Sequence, residues 1–334
     1  TGEASIAFSY MLLYTQTGDE IFLSYLKMQC VVVAELLPQD KNYDVLGGNA
    51  GAALVLLEAY KLTGDRQYMD WAGKAGDCLL DAAASYEWGL GWVSAVTGNA
   101  LTGFAHGAAG IMLALAKLYY YTKDSRYLQG AQGAFLYEEH YFVEEKADWK
   151  DLRFPDQEES GHEMAWCHGW GGIVMARRLA ERYVDGEFRR MLQETAEIAE
   201  KKERRIWKEG SFCLCHGNCG NLALLSMFGQ GAGRGGETFQ GHTGGVQERD
   251  REKPAKRFGG EGGRQGNQTE ALWQETITKL SRYEDIRELL EVQECGNYGF
   301  MAGIAGIGYS CLCGMEDCGK IIGVEISGDP VSAL

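Results

Sequence analysis

Two Cys-His-Gly triplets, Cys167-His168-Gly169 and Cys215-His216-Gly217, hold the side chains best suited to chemistry in this chain. Each opens a Gly-x-x-Gly segment followed by an apolar run. Cys167 and Cys215 therefore occupy the same register of two successive repeats. In a closed ring of repeats, equivalent positions at the inner ends come together. Two thiols and an imidazole meeting there form a zinc donor set, which makes Cys167, Cys215 and His216 the candidate ligands. Three protein ligands leave a fourth position open, as in catalytic rather than structural zinc sites. Helix N-termini beside the sulfurs favour thiolate. Zinc would likewise hold an incoming thiol as thiolate at neutral pH. The competing interpretation, buried cysteines with a capping histidine, leaves the matched register unexplained. Cys213 and Cys219 read as small buried residues.

His106 holds the corresponding place in "GFAHGAAG", without a Cys beside it. Lacking a thiol partner, it is better placed as an acid or base at the same centre than as a ligand. Asp44, in "YDVLGG", lies four residues before Gly48 and reaches the same rim. It could orient His106, and a plain N-cap role competes with that. His168 shares the register of His106 and His216; it is left off the metal, to line the pocket or touch substrate.

The elements that must position these residues repeat along the chain. Gly-x-x-Gly recurs at Gly48/Gly51, Gly107/Gly110, Gly169/Gly172, Gly217/Gly220 and Gly303/Gly306, with a degraded copy from Gly2 to Ser5. Each leads into a run such as "AALVLLEAY" or "IMLALAKLYYY", whose few polar interruptions predict a buried helix. Four units continue with a polar turn ending at or near Asp19, Asp65, Asp124 and Asp185, each followed three residues later by Phe22, Tyr68, Tyr127 or Phe188. The Asp predicts an N-cap, and the aromatic predicts the inward face of a second, amphipathic helix. The unit is thus an inner helix, a turn and an outer helix, at roughly 60-residue spacing, longer than common solenoid repeats. Small residues at the inner ends suit a crowded centre. The expected fold is all-α, an α/α toroid of about six to seven helical hairpins. Residues 229–266, rich in Gly, Arg, Gln and Glu, break the pattern and predict a disordered insertion or an altered stretch of sequence.

The chain has 334 residues, 45% hydrophobic and 24% charged, enough for a large core. A net charge of -15 argues against a nucleic-acid partner, since phosphate binding needs a basic stripe. Ten cysteines without a visible signal peptide, two of them in matched His-Gly contexts, point to thiols in a reducing cytoplasm. No apolar run is expected to span a membrane. Because Thr1 falls inside what looks like a repeat, residues 1–334 are expected to be one domain from a longer protein.

In order, "YDVLGGNAG", "GFAHGAAGI", "AWCHGWGGI", "CHGNCGN" and "GFMAGIAGIGY" resemble the LanC-like lanthionine synthetase cyclases. They look most like the C-terminal cyclase domain of class II, LanM-type synthetases. The resemblance implies a toroid of seven hairpins with one zinc held by Cys167, Cys215 and His216. It implies His106 as acid/base and Asp44 as its companion. The implied reaction is Michael addition of a peptide Cys thiol to dehydroalanine or dehydrobutyrine. The implied partners are a dehydrated precursor peptide and a linked N-terminal dehydratase domain. Stand-alone relatives carry Arg and Tyr where this chain has Glu163 and His168. Two other readings remain at this level: glutathione addition to dehydroamino residues, and a non-catalytic peptide-binding toroid that keeps zinc for structure.

Overall fold

In a computed structural model, residues 2–95, 97–154, 164–202 and 211–231 are described, with Gln274, Thr276 and Thr278. Glu163, the Gly303/Gly306 copy and most of 229–266 lie outside the described residues. Helices α1 (Glu3–Thr17) and α2 (Glu20–Leu36) form a first hairpin, followed by a short 3-10 turn. Three more hairpins follow: α3 (Asn49–Thr63) with α4 (Arg66–Ala82), α5 (Ala108–Thr122) with α6 (Ser125–His140), and α7 (Trp170–Ala180) with α8 (Gly186–Lys201). Helix α9 (Asn218–Gly231) begins a fifth unit. Helices α1, α3, α5, α7 and α9 pack each against the next, forming the inner layer.

The two layers have different compositions for a physical reason. Every residue from Asn49 to Ala59 in α3, and from Ala108 to Leu118 in α5, is buried. These helices are apolar on all sides because neighbours cover all sides. Outer helices bury one stripe: Phe188, Leu192, Ala196 and Ala199 in α8, at helical spacing. Two charges inside the inner layer are paired. Glu58 of α3 accepts from Lys117 of α5 at 3.1 Å and from Lys61 at 3.0 Å, and both Glu58 and Lys117 are buried. Removing one partner of such a pair would strand the other.

The turn between inner and outer helices is built from its sequence. Asp19, Asp65 and Asp124 each accept a hydrogen bond from the backbone N–H two residues on, as caps. Asp185 sits at the N-cap of α8 without a side-chain cap bond. Tyr68, Tyr127 and Phe188 are buried as expected, and Phe22 is half-buried. Lys123 takes the left-handed conformation that Gly18 and Gly64 supply in the earlier units.

Two short antiparallel hairpins were not expected: β1 (Ala84–Tyr86) with β2 (Gly89–Gly91), and β3 (Phe142–Val143) with β4 (Asp148–Trp149). They occupy the return from an outer helix to the next inner end, a distance that each unit must cover without another helix. The segment Glu20–Gln39 is long and apolar enough, by length and composition, to cross a membrane, against expectation. It forms the outer helix of the first hairpin, paired with α1.

The second glycine of each motif marks a close backbone approach. A Cβ on Gly51 would collide with the Val45 carbonyl oxygen, and one on Gly172 with that of Trp166. The chain folds back over the first helical turn there, and only hydrogen fits. Gly51→Ala should therefore destabilise the protein by about 1–3 kcal/mol. Gly73→Ala, in α4, meets only the Tyr127 hydroxyl at 3.6 Å. It should be stabilising by about 0.5–1 kcal/mol. Denaturant unfolding of both variants checks this; equal midpoints would show that the motif glycines are incidental.

Candidate metal and acid–base centre

Each inner helix starts directly after the first motif glycine, so the residues before that glycine form a loop at the helix end. These loops are joined in sequence by backbone hydrogen bonds. Val45 and Leu46 N–H both donate to the Ala105 carbonyl at 3.1 Å. Ala105 N–H donates to the Cys167 carbonyl at 3.0 Å. Trp166 and Cys167 N–H donate to the Cys215 carbonyl at 2.9 and 3.3 Å. One continuous rim thus carries Asp44, His106, Cys167 and Cys215 from four separate units.

Cys167, Cys215 and His216 offer two sulfurs and one ring nitrogen, all within 4.8 Å of one another and partly exposed. Cys215 is the largest influence drawing the Cys167 thiol down to about 4, with His216 adding to it against the effect of burial. His216 is raised to about 10, mainly by Cys167 and then by Cys213. The pairing thus favours thiolate on Cys167 and the protonated ring on His216. A cluster so arranged fits a divalent metal, since thiolate and imidazole are the donors required and metal binding would release the imidazole's extra proton. Burial opposes ionisation of Cys213, yet its interactions with His216 outweigh this and lower its thiol. Cys213 and Cys219 are both buried, as expected.

Beside this cluster stands a second pair. Asp44 Oδ2 accepts from His106 Nδ1 at 2.6 Å, with side chains 18% and 28% exposed respectively. The other Asp44 oxygen accepts from Gly47 N–H at 2.8 Å, which fixes the carboxylate. With Nδ1–H committed to Asp44, the neutral ring has its lone pair on Nε2. The N-cap alternative for Asp44 is not what the structure shows: Gly48 is the N-cap of α3. His168 stacks on His106, with centroids 5.6 Å apart and planes at 26°. Burial is the main cause holding the His168 pKa down, at about 4, which keeps the ring neutral.

The structure therefore brings all five sequence-derived candidates to one rim. It also shows supporting residues that motif reading missed. Glu138 of α6, fully buried, accepts from Gly103 N–H at 2.9 Å and anchors the loop that carries His106. Burial raises its pKa to about 7, against the opposing pull of Arg177. Asp151 and Arg153 follow β4 on a segment tied to the rim where Thr102 Oγ1 donates to the Lys150 carbonyl at 2.6 Å. Neither falls in the Gly-x-x-Gly register, so the repeat gave no signal for them.

The family profile "Lanthionine synthetase C-like protein" matches residues 1–233. A similar curated protein is the lacticin 481/lactococcin biosynthesis protein LcnDR2 of Lactococcus lactis subsp. lactis, 25% identical over 243 residues. That match covers 68% of this chain and 23% of the relative's length. Among solved structures, nisin cyclase aligns over 97% of this chain and 79% of its own, with a TM-score of 0.65 at 19% identity. That likeness shows the fold, an α/α toroid, as the repeats predicted. Purified protein should carry about one divalent metal per chain. Cys167→Ala and Cys215→Ala should each lose it, by elemental analysis. Full metal retention in both variants would remove these residues from the site.

Proposed function

The chain belongs to the lanthionine synthetase C-like family, and from that premise we propose that it is a zinc-dependent lanthipeptide cyclase. It joins peptide Cys thiols to dehydroalanine or dehydrobutyrine, forming lanthionine or methyllanthionine rings. The observation that carries this is the placement of the Cys167–Cys215–His216 cluster and the Asp44–His106 pair on one hydrogen-bonded rim. Two thiolate donors and one imidazole favour zinc over harder divalent ions. Zinc held by Cys167, Cys215 and His216 would supply the positive charge that keeps a substrate thiol ionised at neutral pH.

The chain's own residues account for the remaining proton handling. Addition of sulfur to the β-carbon moves the double-bond electrons onto the α-carbon and its carbonyl. The α-carbon then needs a proton, and nothing leaves, so product and substrate are isomers. His106 takes up on Nε2 the proton lost by the thiol and delivers it to the α-carbon. Asp44 holds Nδ1–H and fixes the ring's orientation, so that Nε2 is the nitrogen left to carry the proton. His168, neutral and stacked on His106, limits the ring's freedom. The proposed substrate is a precursor peptide already dehydrated by a linked N-terminal dehydratase domain. The described cysteines, all free thiols, support a reducing cytoplasmic setting.

With a dehydrated precursor, the protein should consume free thiols without a change of peptide mass. His106→Asn should keep its metal yet close rings on the order of 100- to 10,000-fold more slowly. Alkylation of residual thiols followed by mass spectrometry over time measures both. Ring closure by His106→Asn at the wild-type rate would reduce His106 to a helix-end residue. No closure above the uncatalysed background by metal-loaded wild type would end the cyclase reading, leaving the peptide-binding alternative.

A further inference from the structure

Arg153 lies on a chain segment that packs against this rim, although no repeat places it there. The chain leaving β4 is pinned to the rim by Thr102, whose Oγ1 donates to the Lys150 carbonyl at 2.6 Å. The neighbouring Gly103 abuts the first metal loop. A Cβ added to it would lie 3.1 Å from the Cys167 carbonyl oxygen and 3.2 Å from His168 Nδ1. Three residues beyond Lys150, Arg153 is gripped by Asp151, whose side chain is only 6% exposed. Arg153 Nε donates to both carboxylate oxygens at 3.0 Å, and one Nη donates to Oδ2 at 2.5 Å. Arg153 N–H also donates to Asp151 Oδ1 at 3.0 Å, closing the turn. The Phe154 ring lies 5.5 Å from the guanidinium carbon.

This is how a planar donor is aimed. A nearly buried carboxylate fixes one edge of the guanidinium, and the side chain remains 38% exposed at the rim. Among the described residues, the second Nη has no hydrogen-bond partner. Asp151 is the main reason that Arg153 holds its proton more tightly, and the charges of Cys167 and Cys215 act in the same direction.

We propose that Arg153 donates through its second Nη to the carbonyl oxygen of the dehydro residue under attack. The assignment rests on the cyclase reading. As the new C–S bond forms, the C=C electron pair shifts onto the α-carbon and carbonyl, and negative charge builds on that oxygen. His106 then protonates the α-carbon and the charge is discharged. No co-reactant is required. A donor already oriented towards the oxygen binds the enolate more strongly than the substrate, so it acts on turnover rather than on peptide binding. Arg153 would thus be a catalytic residue and Asp151 its positioning residue.

Full-length chain carrying its metal, with dehydrated precursor, tests this through Arg153→Gln, Arg153→Lys and Arg153→Ala. Arg153→Gln should lower kcat on the order of 100-fold. KM should stay within about threefold of wild type, the signature of an interaction made in the transition state. Metal content should not change and unfolding should stay cooperative, with a midpoint lowered by the Asp151 carboxylate left without its charged partner. Arg153→Lys should recover part of the loss, and added ethylguanidinium should partly restore Arg153→Ala. Wild type that closes no rings would overturn the cyclase reading itself. Wild type that closes rings while Arg153→Gln matches it within about twofold overturns the Arg153 assignment alone. A raised KM at unchanged kcat overturns it in favour of ground-state peptide binding. Loss of metal or of cooperative unfolding in Arg153→Lys as well as Arg153→Gln overturns it in favour of a structural ion pair.

Discussion

Everything proposed for this protein depends on the strip of backbone hydrogen bonds that runs from Val45 and Leu46 through Ala105 and Cys167 to Cys215. Each bond joins the helix-end loop of one unit to the next. Backbone groups are obligate partners wherever they are buried, so satisfying them across units also fixes register. Once register is fixed, side chains at equivalent positions must face the same centre. Asp44 and His106 are 62 residues apart in sequence, yet their polar atoms are 2.6 Å apart. A slip of one residue in any loop would carry a ligand or an acid away from the rim.

The packing beneath serves that strip. The inner helices approach closely because their first turns carry Gly51, Gly110, Gly172 and Gly220, each of which admits the carbonyl of the loop above it. Close packing of apolar helices would leave charged residues no room, so those that occur are answered. Glu58 meets Lys117 and Lys61, and Glu138 meets the Gly103 amide and faces Arg177 at 3.8 Å. The second of these bears directly on the site, since Gly103 is three residues from His106. A buried carboxylate on an outer helix thus reaches through the layer to hold the rim.

The rim divides its chemistry by environment. Sulfur and imidazole sit together where each favours the other's charged form, and loss of the imidazole's extra proton would leave a thiolate and imidazole donor set suited to a cation. Asp44 and His106 sit nearby, also partly exposed, and there the carboxylate orients the ring while leaving Nε2 without a bond to Asp44. His168 lies between these functions, desolvated and neutral, in contact with one and adjacent in sequence to the other. Arg153 adds a fixed positive group to a chain whose net charge is -15. A substrate passing through addition and protonation would meet a cationic centre, a proton carrier and a hydrogen-bond donor within one rim.

The sequence by itself determined the repeat, the two layers and the grouping of Cys167, Cys215 and His216. Gly-x-x-Gly before an apolar run, and Asp three residues before an aromatic, are local patterns with local causes: close approach, capping and amphipathic periodicity. Equivalent registers then carried Cys167, Cys215, His216 and His106 to one end of the fold without any coordinates. Tertiary structure alone decided what joins them. The Asp44–His106 bond could not be separated in sequence from a helix cap, because both uses need the same residue near a helix start. The β-hairpins escaped notice because two- and three-residue strands are too short to show a period. Arg153, Asp151 and Glu138 carry no motif, and their positions follow from which chain segment packs against which loop. That is a property of long-range contacts, and it becomes visible only when distant segments have been brought together in space.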